Sequence, residues 1–293
     1  MQFMKYKWFY FLLSALVILP GIYFLIRYGL RLSVDFTGGS VLELKFKQTI
    51  SGSQLLDISK IVEEKKYEVI EVQSSGEGQI LLKMKPIGKE DVSIIKTLLA
   101  QEFKEIPEEV RFETVGPILG KELINKTIVA ILLASGFITL YVGWQFKDLM
   151  FGISAILGMF HDTLVMLGIF SLLGHFYGVE IDTLFVTAML TILSFSVHDT
   201  VVVYDRIRES QKRFTKVPFV DLVNKAVTET LSRSINNSMT IIFMLISLWL
   251  LGGSTIKWFS FALLIGTISG TYSSTFTAAP LLVVWYDFKN KRR

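Results

Sequence analysis

Long apolar runs alternate with polar segments along this chain. Six runs are close to or above the length of about 20 residues that a helix needs to cross a bilayer. They lie near residues 8–26, 127–144, 149–173, 183–204, 233–251 and 258–286. The pattern predicts a membrane α-helical bundle of six transmembrane helices. We expect the first to be retained, because it is too long for a signal peptide and no small-x-small cleavage site precedes Arg27.

Residues 27–126 have the pattern of a separately folded polar domain. Strand-like alternation and helical runs follow one another between turn residues. In chain order they are VLELKF (41–46), a helical run (53–66), YEVIEV (67–72), a turn (74–78), ILLKMK (80–85), a second helical run (89–104) and VRFETV (110–115). This order predicts an α+β ferredoxin-like (βαββαβ) domain.

The composition agrees with a membrane protein and excludes several other classes. Hydrophobic residues make up 51% and charged residues 19%, whereas soluble domains carry roughly a quarter charged residues. A net charge of +4 is too small to indicate nucleic-acid binding. The chain has no cysteine, which excludes disulfides, thiolate metal sites and thiol nucleophiles.

The basic residues of the short loops predict the orientation in the membrane. Lys and Arg occur before the first span, after the second and fourth spans, and in the tail: Lys5, Lys7, Lys147, Arg206, Arg208, Lys212, Arg213, Lys216, Lys225, Arg233, Lys289, Lys291, Arg292 and Arg293. The opposite loops contain only Lys257. We therefore expect cytoplasmic termini, a first helix (1–26), an extracytoplasmic domain (27–126), and a five-helix bundle (127–293) with a basic cytoplasmic loop (205–232).

Two acidic residues lie inside the predicted spans. Asp162 follows His161 and Asp199 follows His198, and a threonine comes after each aspartate. An ionised side chain near the middle of a bilayer costs about 2.5–3.5 kcal/mol, so each must be neutral, paired or beside water. Each aspartate could exchange a proton with its histidine. For Asp162 and His161, a hydrogen bond within the bundle and a role in transport are both open.

Polar residues also share one face of the fourth span. At about 100° per residue, Thr187, Thr191, Ser194 and His198 line up, with Asp199 on the flank and Thr200 beside it. This face is a candidate proton or water path. The alternative is that the hydroxyls bond to neighbouring helices or to their own backbone.

The fifth span supplies a candidate partner for Asp199. Its apolar core, 239–251, rises only about 20 Å, which is short of the ~30 Å required, so the helix should extend back to Arg233. A charged pair between Arg233 and Asp199 would lower the cost of both groups. Alternatively, Arg233 reaches the lipid headgroups.

Small residues in the sixth span predict close helix packing. Gly266 and Gly270 form a GxxxG pattern, and Ser273 follows on the same helix.

Several short motifs occur in an informative order. They are VDFTGGS (34–40), VGP (115–117), HD (161–162), HDTVVVYDRIRE (198–209), LSR (231–233) and IGTISGTYSS (265–274). Together they resemble the SecD/SecF family of protein-export membrane proteins, a branch of the resistance-nodulation-division superfamily. The resemblance covers about residues 34–283.

The resemblance implies a non-enzymatic accessory subunit of the Sec translocase in the bacterial cytoplasmic membrane. Its implied partners are SecD, the SecYEG channel, YajC, YidC and the unfolded exported polypeptide. No cofactor is implied beyond the coupling ion, a proton or sodium. The family ties ion coupling to the positions of Asp199 and Arg233. It usually has Asn at the position of His198, which leaves the choice of ion open.

Two other functions are weighed against this one. In an intramembrane hydrolase the two aspartates would form a dyad, which needs carboxyls about 3 Å apart. The predicted span ends place Asp162 and Asp199 about 12 Å apart in depth, which argues against a dyad and against a metal site. A small-solute exporter of the same superfamily usually has two six-span halves in one chain, and this sequence has one.

Overall fold

The computed structural model describes residues 2–76 and 78–291. Glu77, in the predicted turn, and Arg292 and Arg293, in the predicted tail, lie outside the described residues. The chain forms two compact units. The helical unit contains the residues up to Arg31 and from Val129 onward, and the second unit runs from Leu32 to Ile128.

Helices dominate the chain. The helices are α1 (Lys7–Tyr28), which follows a 3₁₀ turn at Phe3–Tyr6, α2 (Val34–Thr37), α3 (Gly52–Glu64), α4 (Lys89–Phe103), α5 (Pro117–Phe146), α6 (Leu149–Tyr177), α7 (Thr183–Arg213), α8 (Phe219–Leu251), α9 (Ser254–Ser273) and α10 (Ala279–Lys291). The strands are β1 (Gly39–Lys45), β2 (Val69–Gly76), β3 (Gln79–Met84) and β4 (Glu108–Val115).

Within the described residues, five helical segments are long and apolar enough to cross a membrane. They are Phe3–Tyr28, Pro117–Phe146, Leu149–Tyr177, Thr183–Arg213 and Phe219–Leu251. The region of the sixth predicted span is divided: α9 passes through a π-helical turn, Ser274–Ala278, into α10. Pro280 explains the irregularity, because proline has no N–H to donate to the preceding turn.

The segment predicted as a cytoplasmic loop, 205–232, is mostly helical. α7 continues to Arg213 and α8 begins at Phe219, so only residues 214–218 connect them. The helical continuation has an apolar face that the span count overlooked. The buried residues of this face are Ile207 on α7 and Leu222, Val223, Ala226 and Val227 on α8. Those on α8 recur at the spacings of three and four residues that place side chains on one face of a helix.

The second unit contains a four-stranded sheet in the order β2-β3-β1-β4 with antiparallel neighbours. Leu42 and Leu44 of β1 point into the core, where Ile58 of α3 and Ile95 of α4 are fully buried. Alternation along the strands and i, i+4 spacing along the helices produce this apolar layer. The observed strand and helix order matches the order predicted from residues 41–115.

The glycine pair of VDFTGGS connects α2 to β1. Gly38 has φ +75° and Gly39 has φ +134°, values that residues with a Cβ rarely adopt. A Cβ on Gly38 would lie 2.7 Å from the Cα of Pro117, and one on Gly39 would lie 2.9 Å from the carbonyl oxygen of Met84. Both conformation and space therefore require glycine here.

We expect Gly38→Ala to destabilise the second unit by roughly 1–3 kcal/mol, because the left-handed backbone is strained and the Cβ meets Pro117. Hydrogen exchange of the β1 to β4 amides in the detergent-solubilised full chain would measure this loss. Gly52→Ala is the matched control, since a Cβ at Gly52 meets nothing within 4 Å. Equal protection in the two variants would contradict the steric argument.

Candidate functional site

Asp162 is the most completely buried charged group in the helical unit, with 0% exposure. Its carboxylate accepts a hydrogen bond from Ser196 of α7. It also accepts hydrogen bonds from Ser269 and Ser273 of α9, and these two hydroxyls are each 2.6 Å away. His161 Nδ1 lies 3.0 Å from the same carboxylate. Donors from two other helices therefore converge on one α6 side chain, which replaces the solvation that a buried carboxylate loses.

His161 extends this network to α1. It is 7% exposed, and its Nε2 lies 3.0 Å from the hydroxyl of Ser14. Ser14 in turn lies 3.5 Å from the Tyr272 hydroxyl and 3.4 Å from that of Thr277. The Tyr272 hydroxyl donates to the carbonyl of Tyr10, 2.8 Å away. The polar network thus joins α1, α6, α7, α9 and the π-helical turn.

Asp199 on α7 forms a second buried site. It is 6% exposed and accepts hydrogen bonds from Ser234 of α8, at 2.5 Å, and from Ser274 of the π-helical turn, at 3.0 Å. Both donors reach the same carboxylate oxygen, Oδ2. The irregular turn caused by Pro280 therefore contributes directly to this site, as π-helical turns frequently do at functional positions.

The predicted ion pair between Arg233 and Asp199 is absent from the described part of the chain. Arg233 is exposed, and it lines a cavity of about 500 Å³ with Asp205, Glu209 and Glu229. The reason is rotational: successive helical residues are about 100° apart, so directing Ser234 toward Asp199 turns Arg233 away. A serine hydroxyl occupies the place expected for the guanidinium.

The predicted polar face of α7 points away from the interior of the helical unit. Thr187, Thr191, Ser194 and His198 are all exposed. Thr187 donates to the carbonyl of Thr183, and Thr191 to that of Thr187, which is the backbone bonding weighed as the alternative. Thr200 is buried and donates to the carbonyl of Ser196. Inside the unit, Ser196 and Asp199 supply the polar groups instead.

The predicted depth difference of about 12 Å between the aspartates was wrong. Asp162 bonds to Ser196, which precedes Asp199 by three residues or about 4.5 Å of helix. The error came from ending the fourth span at residue 204, whereas α7 continues to Arg213. Ser273 donates to Asp162 and its neighbour Ser274 to Asp199, so each carboxyl has its own donors. In the described chain no hydrogen bond joins the two carboxyls.

Gly266 and Gly270 lie on α9 where it packs against α7. A Cβ on Gly266 would lie 2.4 Å from Cγ1 of Ile192, and one on Gly270 would lie 3.2 Å from the Cβ of Ser196. The short approach brings Ser269 and Ser273, on the same helix, within reach of Asp162. The two glycines therefore set the spacing that the Asp162 site requires.

Several site residues escaped the sequence interpretation: Ser14, Ser196, Ser234, Ser269, Ser274 and Tyr272. Ser269 and Ser273 form an i, i+4 pair on α9, a signal that was available in the sequence. Ser14 is a lone hydroxyl in the first apolar run, and nothing in the sequence indicated its contact with His161.

The fold and these sites define a multispan α-helical membrane protein with ionisable groups held between its helices. Residues 94–288 match the family model described as protein export membrane protein SecD/SecF, C-terminal, and residues 23–50 match the SecD/SecF GG motif. The chain belongs to the SecD/SecF family, which confirms the resemblance drawn from its motifs.

Its relatives are protein translocase subunits. The chain is 42% identical to the SecF subunit of Thermobaculum terrenum and 34% identical to that of Anaerolinea thermophila, covering 92% of each relative. A crystal structure of SecDF from Thermus thermophilus matches 98% of this chain with a TM-score of 0.85 and 32% identity. The chain spans 39% of that SecDF chain.

We expect Gly266→Ala to force α7 and α9 apart, because the new methyl group would overlap Ile192. Overpacking of this kind costs about 1–3 kcal/mol and should lower the melting temperature of the detergent-solubilised chain. Gly136→Ala, where a Cβ meets nothing within 4 Å, is the control.

The double variant Gly266→Ala with Ile192→Ala should recover part of the stability lost in Gly266→Ala, because the two sites are in contact. If the two losses simply added, the proposed contact between α7 and α9 would be wrong.

Proposed function

We propose that this chain is a non-enzymatic accessory subunit of the Sec protein translocase, which couples the proton motive force to export of unfolded polypeptides with SecD and SecYEG. It acts in the bacterial cytoplasmic membrane with both termini in the cytoplasm. The names of its relatives, SecF and SecDF translocase subunits, support the assignment to the translocase.

The proposed architecture has six spans and an extracytoplasmic ferredoxin-like domain. The sixth span would consist of α9, the π-helical turn and α10, which follow one another without a break from Ser254 to Lys291. The sheet order β2-β3-β1-β4, with α3 and α4 as the two connecting helices, supports the ferredoxin-like assignment.

The observation that carries the proposed coupling is the site of Asp199. Its carboxylate is buried and has hydroxyl partners on α8 and on the π-helical turn, and no cation pairs with it in the described chain. An ionised Asp199 accepts from both hydroxyls. A protonated Asp199 either carries its hydrogen on Oδ1, where that hydrogen needs an acceptor that the ionised group does not use, or carries it on Oδ2, where it displaces a hydroxyl. Binding a proton would therefore change how α7 packs against its neighbours.

The energy available is sufficient for such a change. One elementary charge that crosses 100 mV releases about 2.3 kcal/mol, which shifts a two-state equilibrium by more than tenfold. Arg233 and His198 belong to the proposed coupling group as well. Both are exposed, and Arg233 lines the charged cavity between α7 and α8.

The exposed polar face of α7 supports the need for a second chain. Thr187, Thr191, Ser194 and His198 would face lipid in the isolated subunit, although polar side chains in spans normally face protein or water. This chain spans only 39% of the SecDF structure that it matches, which leaves the remainder to be supplied by another subunit. We propose SecD as that subunit, with SecYEG, and with YajC and YidC as further partners.

We expect Asp199→Asn to lower proton-motive-force-stimulated export at least about tenfold, because asparagine fills the same space but cannot exchange a proton. Export of a precursor into inverted membrane vesicles, with and without an uncoupler, would measure this. Sodium and proton gradients applied separately would identify the coupling ion.

Asp221→Asn is the matched control, since it makes the same substitution at an exposed position in the first turn of α8, outside the cavity that Arg233 lines. It should leave stimulated export unchanged, and both variants should copurify with SecD. Full stimulation in Asp199→Asn would refute the proposed coupling. Failure of the wild-type chain to recover SecD would favour the small-solute exporter.

A further inference from the structure

The first helix contacts α6 in a fixed register. Ser14 meets His161, Gly21 meets Gly168, and Tyr28 stacks on His175 with ring centroids 3.8 Å apart. The three contacts are each seven residues apart on both helices. Seven residues make about two helical turns, so they lie along one continuous seam between α1 and α6.

The middle contact of this seam is very close. A Cβ on Gly21 would lie 2.9 Å from the Cα of Gly168, and one on Gly168 would lie 2.6 Å from the Cα of Gly21. The backbones touch here with no side chain between them, which suits a pivot. One heptad away, the hydroxyl of Ser14 and the ring of His161 form the polar contact of the seam.

Asp162, beside His161, has no cation other than that histidine to balance its charge. In the described chain no Lys or Arg pairs with Asp162, and its other partners are three serine hydroxyls. Hydroxyls stabilise a carboxylate but carry no charge. With an ionised carboxylate and a neutral imidazole, the pair of Asp162 and His161 carries one negative charge. The pair is therefore neutral only after it binds one more proton.

The state of this pair determines what Ser14 does. With neutral His161 donating from Nδ1 to Asp162, Nε2 is an acceptor and the Ser14 hydroxyl must donate to it. With doubly protonated His161, Nε2 donates and Ser14 becomes the acceptor. Its own hydrogen is then released toward Tyr272 or Thr277. Gain of one proton thus reverses the hydrogen bond between α6 and α1.

The groups around Asp162 suit a proton better than a sodium ion. Ser196, Ser269 and Ser273 already direct their hydrogens at the carboxylate, and an imidazole nitrogen occupies the remaining approach. Hard cations prefer a shell of oxygen atoms with free lone pairs. Tyr272 is the titratable side chain that faces the pair from α9, and Asp199 lies three residues beyond Ser196 on α7.

We propose that Asp162 and His161 form a second proton-binding site, distinct from Asp199, whose occupancy is transmitted to α1 through Ser14. The second unit follows α1 directly in the chain, so a change in the seam acts on the helix that leads into it. The proposal rests on the proposed function only in assigning this proton to the export cycle. Binding itself can be measured without export.

Infrared difference spectra of the full chain in lipid nanodiscs, between acidic and alkaline buffer, would detect the protonation change of the pair. We expect a carboxyl or imidazole difference signal that is lost in Asp162→Asn and altered in His161→Gln. It should persist in Asp199→Asn, which is the matched control at the other site.

Movement of α1 can be followed in the same samples. The chain has no cysteine, so Leu12→Cys and Phe160→Cys, both at exposed positions, can carry a pair of spin labels. We expect the label distance to shift with pH in the parent chain. The shift should be absent when Asp162→Asn or Ser14→Ala is added and present when Asp199→Asn is added.

Three results would overturn the proposal: a protonation signal that survives when Asp162→Asn is added to Asp199→Asn, a signal that follows sodium at constant pH, or a distance shift that persists in Ser14→Ala. These outcomes are separate from the export assay. Loss of export in Asp199→Asn, together with any of the three, would leave the proposed function standing and refute only the second proton site.

Discussion

A carboxylate buried among membrane helices must be solvated by the protein, and this requirement shapes the helical unit. Asp162 accepts from Ser196, Ser269 and Ser273 and contacts His161, so α6, α7 and α9 must stay within hydrogen-bonding reach. In lipid, helices gain little from apolar association, and packing depends on close approach and polar contacts. The glycines at 266 and 270 allow that approach, and the serines make use of it.

The π-helical turn after α9 connects the two buried aspartates. Pro280 prevents regular helix here, and the consecutive residues Ser273 and Ser274 are directed to Asp162 and Asp199, respectively. Neighbouring residues of a helix point about 100° apart. Ser273 and Ser274 can therefore each reach an aspartate on a different helix. A change at either aspartate therefore reaches the same short segment.

Much of this organisation was predictable from the sequence, because it depends on periodicity. The order of strands and helices in residues 41–115 followed from alternation and turn residues, and the apolar runs located the long helices. The rotational setting of each helix was not predictable. The stripe Thr187, Thr191, Ser194 and His198, a candidate proton or water path in the sequence, is exposed, whereas Ser196 and Asp199 face the interior of the helical unit. Periodicity identifies which residues share a face, but neighbouring helices decide where that face points.

The same limit explains Arg233 and Ser14. The length of the fifth span and the charges made Arg233 a candidate partner for Asp199, yet the adjacent Ser234 points inward and Arg233 lines an exposed, charged cavity. There Arg233 keeps its hydration, while a hydroxyl stabilises the carboxylate without the cost of burying a second charge. A carboxylate held by hydroxyls can accept a proton without first losing a salt bridge. Asp199 has this kind of environment, and Asp162 has it together with the imidazole of His161.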